Sequence, residues 1–95
     1  MTTLTGTFET PNASKYLQQL CKHFAHKVDA NCDETRGFAA LGFGPTQFEA
    51  DVATLSVKIT LNDDSDPIPA QQMIDAHLER FAFREKFKTM VWSEN

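Results

Sequence analysis

The stretch Thr54-Leu55-Ser56-Val57-Lys58-Ile59-Thr60-Leu61 decides the fold. Leu55, Val57, Ile59 and Leu61 alternate without exception against Thr54, Ser56, Lys58 and Thr60. A period of two places successive side chains on opposite sides of a strand, so one side of this strand is dry and the other wet. Such a strand belongs to a sheet covered on a single face.

Reading backward from it, residues 46–51 form another strand with Phe48 and Ala50 inward, and Gly44-Pro45 is a break before it. Residues 37–43 read as the preceding strand, entered through a tight turn at Arg36-Gly37. Val28, Ala30 and Cys32 alternate with Asp29, Asn31 and Asp33, which starts a strand there. Upstream the period changes. Ala13, Leu17, Leu20, Cys21 and Phe24 recur at spacings of three and four, the mark of one buried helical face over residues 13–27. Thr10 or Asn12 can cap that helix, with Pro11 in its first turn, and residues 4–9 are a short β-prone opening.

Reading forward, the polar run 62–67 ends in Asp66, an acid suited to cap a helix whose first turn tolerates Pro67 and Pro69. Residues 70–84 hold neither Gly nor Pro, and Ile74, Leu78 and Phe81 supply a buried stripe. Residues 87–92 alternate weakly as a closing strand. The predicted order is β-α-β-β-β-β-α-β, an α+β fold with two helices packed on one face of a mostly antiparallel sheet.

Ninety-five residues suit one domain spanning 1–95, and 41% apolar residues with eight Phe predict a ring-rich core. The formal charge of −4 and the lack of a Lys/Arg stripe argue against nucleic acid as a partner. Met1-Thr2-Thr3-Leu4-Thr5 is not a secretory start, and no apolar run approaches about eighteen residues, so the sequence predicts a cytoplasmic protein without membrane association. Cys21 and Cys32 lack a spacing motif and lie on buried faces, which makes them inert core thiols rather than a structural disulfide.

All three histidines lie on the helices. Cys21 and His23 sit about 160° apart on a wheel and cannot share one ion. His26, three residues from His23, points away from the apolar stripe and is an ordinary surface histidine, so no metal site is predicted. Asp63, Asp64 and Asp66 lack the glycine and distal glutamate of a calcium loop. His23 lies on the shoulder of the buried stripe beside Tyr16 and Lys27, where a half-desolvated imidazole shifts its pKa. His77 borders the second stripe, with Arg80 and Arg84 following at three and seven along the same shoulder. With these shoulders facing, Tyr16, His23, Lys27, His77, Arg80 and Arg84 converge as a basic cleft for a carboxylate or phosphate. The structural alternative pairs Arg80 and Arg84 with Asp75, Glu79 or Glu85.

The segments Tyr16-Leu17-Gln18-Gln19-Leu20-Cys21-Lys22-His23-Phe24-Ala25-His26-Lys27 and His77-Leu78-Glu79-Arg80-Phe81-Ala82-Phe83-Arg84-Glu85, with Phe43-Gly44 and Glu49-Ala50-Asp51 between, resemble a bacterial family known as Domain of Unknown Function twenty-two eighteen. The resemblance covers nearly the whole chain. It implies an association with flavin-dependent siderophore-interacting reductases, and hence a reductase partner and a role near iron acquisition. The sequence has no Gly-rich phosphate loop, so a flavin or nicotinamide would be held by that partner.

Three readings follow. The first is an accessory module that binds an anionic small molecule, an acidic iron chelate among them, with Arg80 and Arg84 as anchors and His23 and His77 tuning charge. The second is a lyase or hydrolase with His23 or His77 as general base and Arg80 stabilising an oxyanion. The third is a homodimerisation unit using Phe83, Trp92 and an edge strand.

Overall fold

The computed structural model describes residues 2–62, 66–85 (Phe83 in its backbone alone) and 89–94. Its elements are β1 (Thr3–Glu9), α1 (Ala13–Phe24), β2 (Ala30–Cys32), β3 (Arg36–Leu41), β4 (Gly44–Ala50), β5 (Thr54–Thr60), α2 (Pro67–Phe81), a 3₁₀ turn (Phe83–Glu85) and β6 (Val91–Glu94). This is the α+β order the periodicities predict. The strands form one six-stranded sheet in the order β2-β3-β4-β5-β1-β6. Every pairing among them is antiparallel.

The alternating strand β5 lies inside the sheet, with Val57 opposite Phe48 of β4 and opposite Gly6 of β1. Leu55, Val57 and Ile59 are wholly buried, each worth about 1.5–3 kcal/mol of apolar transfer. Onto that dry face α1 sets Ala13, Tyr16, Leu17, Leu20, Cys21 and Phe24, and α2 sets Ala70, Ile74 and Leu78. The opposite face carries Thr54, Ser56 and Lys58 from β5 beside Thr5 and Gln47 of its neighbours.

Two turns differ from the sequence reading. Leu41 pairs with Gly44, so the β3–β4 hairpin turns at Gly42-Phe43, and Gly44-Pro45 begins a strand instead of breaking one. Gly44 has φ +145, and a Cβ there would stand 2.0 Å from the Thr60 carbonyl oxygen. Pro45 is tolerated because β4 pairs with β5 only from Thr46 onward, so no ladder bond needs its absent N–H. Arg36-Gly37 likewise lies within β3. The turn precedes it, where Oδ1 of Asp33 accepts from the backbone N–H of Thr35 and of Arg36, both at 2.8 Å.

The helix ends also move. Asp66 caps α2 as expected, accepting from Ile68 N–H at 2.9 Å, with Pro67 and Pro69 in the first turn. The helix α1 stops at Phe24, and Lys27 and Val28 both donate to the Phe24 carbonyl, so Lys27 sits in a turn and not on the helix. Because α2 stops at Phe81, Arg84 leaves the helical wheel and joins the 3₁₀ turn. The Phe83 side chain, Asp63, Asp64 and the start of the closing strand expected at Phe87 lie outside the described residues.

Candidate functional site

Tyr16, early in α1, meets Glu85 beyond the end of α2, while His23, at the end of α1, meets His77 within α2. The helices therefore run antiparallel, and their seam has two chemically distinct ends.

The first end is assembled on aromatic rings. Phe48 of the sheet stacks with Phe24 at 6.2 Å between centroids, Phe24 lies 5.2 Å from the ring of His77, and His77 lies 4.5 Å from that of His23. The core thus holds the imidazole pair through Phe24. Nδ1 of His77 lies 2.7 Å from the carbonyl oxygen of Met73, one helical turn back. A carbonyl only accepts, so Nδ1 carries the hydrogen, and in the neutral ring Nε2 keeps its lone pair. Desolvation holds His23 below the ordinary imidazole value, and the neighbouring His77, Lys27, His26 and Arg80 push the same way. Both imidazoles are half-buried, whereas Lys27, Arg80 and Arg84 are exposed.

The second end is built around a carboxylate. Glu85 accepts from Thr10 Oγ1 at 2.6 Å, from Asn12 Nδ2 at 3.2 Å and from the Tyr16 hydroxyl. Burial raises the Glu85 carboxyl, but these donors and the Lys15 charge outweigh it and leave it below its ordinary value. The Tyr16 hydroxyl is pushed up to about 12, by burial first and then by its bond to Glu85 and that group's charge. Tyr16 also stacks on Phe8 at 6.1 Å. It belongs to a different cluster from the histidine edge, so the six predicted site residues are not all brought together.

Two of the three acids proposed to neutralise the arginines, Glu85 and Asp75, are held by other groups. Glu85 is held by the three donors above. Asp75 accepts from Thr89 Oγ1 at 2.7 Å, Met90 N–H at 2.9 Å and the Trp92 indole at 3.1 Å. That contact draws Trp92 inward, over Gly6, where a Cβ would stand 2.8 Å from the indole. Trp92, expected at an interface, is packed within its own chain.

Phe24, the Met73 carbonyl and Glu85 are the site-shaping groups that residue patterns did not single out. A sequence signal for Glu85 existed. The first turn of α1 has no acidic residue, and Asn12 makes no side-chain cap bond, so the polar side chains gathered there required an acceptor from elsewhere in the chain. Among the described residues no group of three or more His, Cys, Asp or Glu is placed to hold a metal ion. No helix among them is long and apolar enough to cross a membrane.

Comparison with known proteins agrees with the fold. The family described as "Uncharacterized protein conserved in bacteria (DUF2218)" matches residues 5–93. The NMR structure of PA4090 from Pseudomonas aeruginosa superposes with a TM-score of 0.77 at 26% identity, covering 98% of this chain and 96% of that one. No curated protein matches.

Proposed function

This chain belongs to the bacterial DUF2218 family, and we propose that it is a binding module for a small anion, a carboxylate or phosphate, received at the helix edge formed by His23, Lys27, His77 and Arg80. Tyr16 is left out of the set because its hydroxyl donates to Glu85, and Arg84 because it lies in the 3₁₀ turn beside Glu85, at the other end of the seam. The observation that carries the proposal is the touching imidazole pair, with the Lys27 and Arg80 charges felt at His23, on a chain of formal charge −4. Cations gathered on an acidic protein attract an anion locally against the overall field.

The tautomer of His77 adds a mechanism. Its Nε2 can donate to an anion only after taking up a proton, because the hydrogen already present on Nδ1 is committed to Met73. Binding through that atom is coupled to protonation, and affinity rises as the pH falls. Extension to acidic iron chelates, with a flavin-dependent reductase as partner, rests on the family resemblance alone.

The test is calorimetric titration with citrate and with inorganic phosphate at pH 6 and pH 8. Binding is expected to be tighter at pH 6, and His77→Ala or Arg80→Ala should each weaken it about tenfold, the loss of roughly one charge-assisted hydrogen bond. Affinity unchanged in both variants rejects the reading. The same lone pair on Nε2 favours a second reading, a general base, which predicts turnover lost in His77→Ala.

A further inference from the structure

We propose that His23 and His77 form a two-histidine site for a divalent transition-metal ion of the zinc, nickel and copper class, with its other coordination positions left to water or an incoming ligand. The partner that α1 does not supply to His23 comes from across the seam. There His77 lies with 4.5 Å between ring centroids and 58° between ring planes. An imidazole nitrogen binds such an ion at about 2.0–2.1 Å, which puts the ring centre about 3.2 Å away, so two imidazoles on adjacent positions of one ion have centres about 4.5–5.2 Å apart. The helices α1 and α2 already hold the two rings at that spacing.

Both rings have a lone pair to give. His77 donates its Nδ1 hydrogen to the Met73 carbonyl oxygen at 2.7 Å, which fixes the ring and leaves the lone pair on Nε2. A backbone carbonyl that takes the hydrogen of the non-ligating nitrogen is the usual support of a metal-binding histidine. Neither ring nitrogen of His23 has a hydrogen-bond partner among the described residues, so its tautomer is free and whichever nitrogen faces His77 can carry the lone pair. Among the described residues the one buried side-chain polar atom without a partner is Oε1 of Gln19. The unpartnered nitrogens of the two half-buried rings therefore reach solvent, and an ion can reach them. Gln19 itself lies one helical turn before His23 in α1, and its unmet acceptor suits a hydrogen from a water on the ion.

Imidazole donors select this class of ion, whereas magnesium and calcium prefer oxygen. Burial first, and then His77, Lys27, His26 and Arg80, hold His23 below the ordinary imidazole value, so it is neutral and able to ligate at pH 7. The Lys27 and Arg80 charges work against a bare dication even as they favour an anion. The inference goes beyond the anion reading and does not depend on it, and the two carry opposite signs. A proton and a metal ion compete for the same lone pair, so metal binding strengthens as the pH rises, where anion binding through His77 weakens.

The test is calorimetric titration of the untagged chain with zinc chloride, in a buffer free of carboxylate and phosphate, with magnesium chloride as the comparison. One zinc per chain is expected, bound more tightly at pH 7.5 than at pH 6, with no binding of magnesium. His23→Gln and His77→Gln should each weaken zinc at least about tenfold, while His26→Gln, at the exposed neighbouring histidine, should stay within about twofold. Arg80→Ala should leave zinc binding as tight or tighter. Should a histidine variant fail to fold, NMR of the wild-type chain still decides, because one equivalent of zinc should shift the ring signals of His23 and His77 together and leave those of His26 in place. Zinc affinity that survives both histidine variants overturns the inference, as do ring shifts confined to one of the two imidazoles or perturbations centred on His26 or Cys32. Zinc bound as expected, beside citrate affinity unchanged in His77→Ala and Arg80→Ala, rejects the anion reading and leaves this one standing.

Discussion

At one end of the helix seam Thr10, Asn12 and Tyr16 converge on the carboxylate of Glu85, and at the other His23 touches His77 with Lys27 and Arg80 nearby. Both ends join α1 to the chain of α2 over aromatic rings, Phe8 beneath Tyr16 and Phe24 beneath His77. They differ in how their charge is met. The Glu85 end gives a half-buried acid its hydrogen bonds from buried donors, which is the arrangement that holds a fold together. The histidine end collects groups that are or can become cationic, each raising the cost of charging His23, which is the arrangement that welcomes an incoming anion. Binding and stability should therefore separate along the seam.

The largest separation is expected on truncating the acid. Glu85→Ala leaves the buried hydroxyls of Thr10 and Tyr16 without their acceptor and should cost about 3 kcal/mol in urea denaturation, from about 1–3 kcal/mol per unsatisfied group. Citrate affinity at the other end should stay within about twofold, since sites that share no partner behave additively. Equal losses of affinity and stability would dissolve the distinction between the ends.

Next in size is the alkaline limb. The folded Tyr16 titrates near 12 against an ordinary 10.0, so the native state keeps a proton that the unfolded chain releases. That stabilisation is complete below pH 10 and disappears as the pH rises through about 12, a loss of up to about 2–3 kcal/mol. Denaturation midpoints of the wild type and Tyr16→Phe should converge over this interval, and parallel curves would contradict the contact with Glu85.

Arg80→Ala should show the reverse pattern to the acid truncation. An exposed guanidinium at the seam edge contributes within about 0.5 kcal/mol to folding, yet its removal should weaken citrate binding about tenfold. The smallest effect is on the acid side. The folded His23 is harder to protonate than the unfolded one, so its contribution to stability is complete above the ordinary imidazole value and falls as the pH drops through that range. His23→Gln should flatten this part of the stability curve, and an unchanged slope would place His23 in a less desolvated setting.

The sequence and structure agree most closely where one period governs a segment. The alternation of 54–61 produces β5, and the spacing from Ala13 to Phe24 produces α1, because burial of a single face leaves each only one arrangement. The hairpin at Gly42-Phe43 escaped the reading since Gly44 serves close approach to Thr60 and not a turn, a purpose that dipeptide composition does not reveal. At the site, the wheel correctly brings the shoulders of His23 and His77 together, because both remain helical. It misplaces Tyr16, whose partner Glu85 lies past the end of α2, where a helical wheel no longer describes direction. The association of Asp75 with Trp92 escaped for a similar reason, being a contact between a helix and the last strand.

The account rests on an anion being received at the imidazole pair. The most direct measurement is an NMR titration of the His23 ring protons against pH, with and without citrate, alongside the backbone amides of the whole chain. Without citrate, His23 should titrate below the ordinary imidazole value, and citrate should move that midpoint upward while perturbing amides around Phe24 and His77 and leaving those around Thr10 and Glu85 in place. Superimposable His23 curves, or perturbations centred on Glu85, would contradict it.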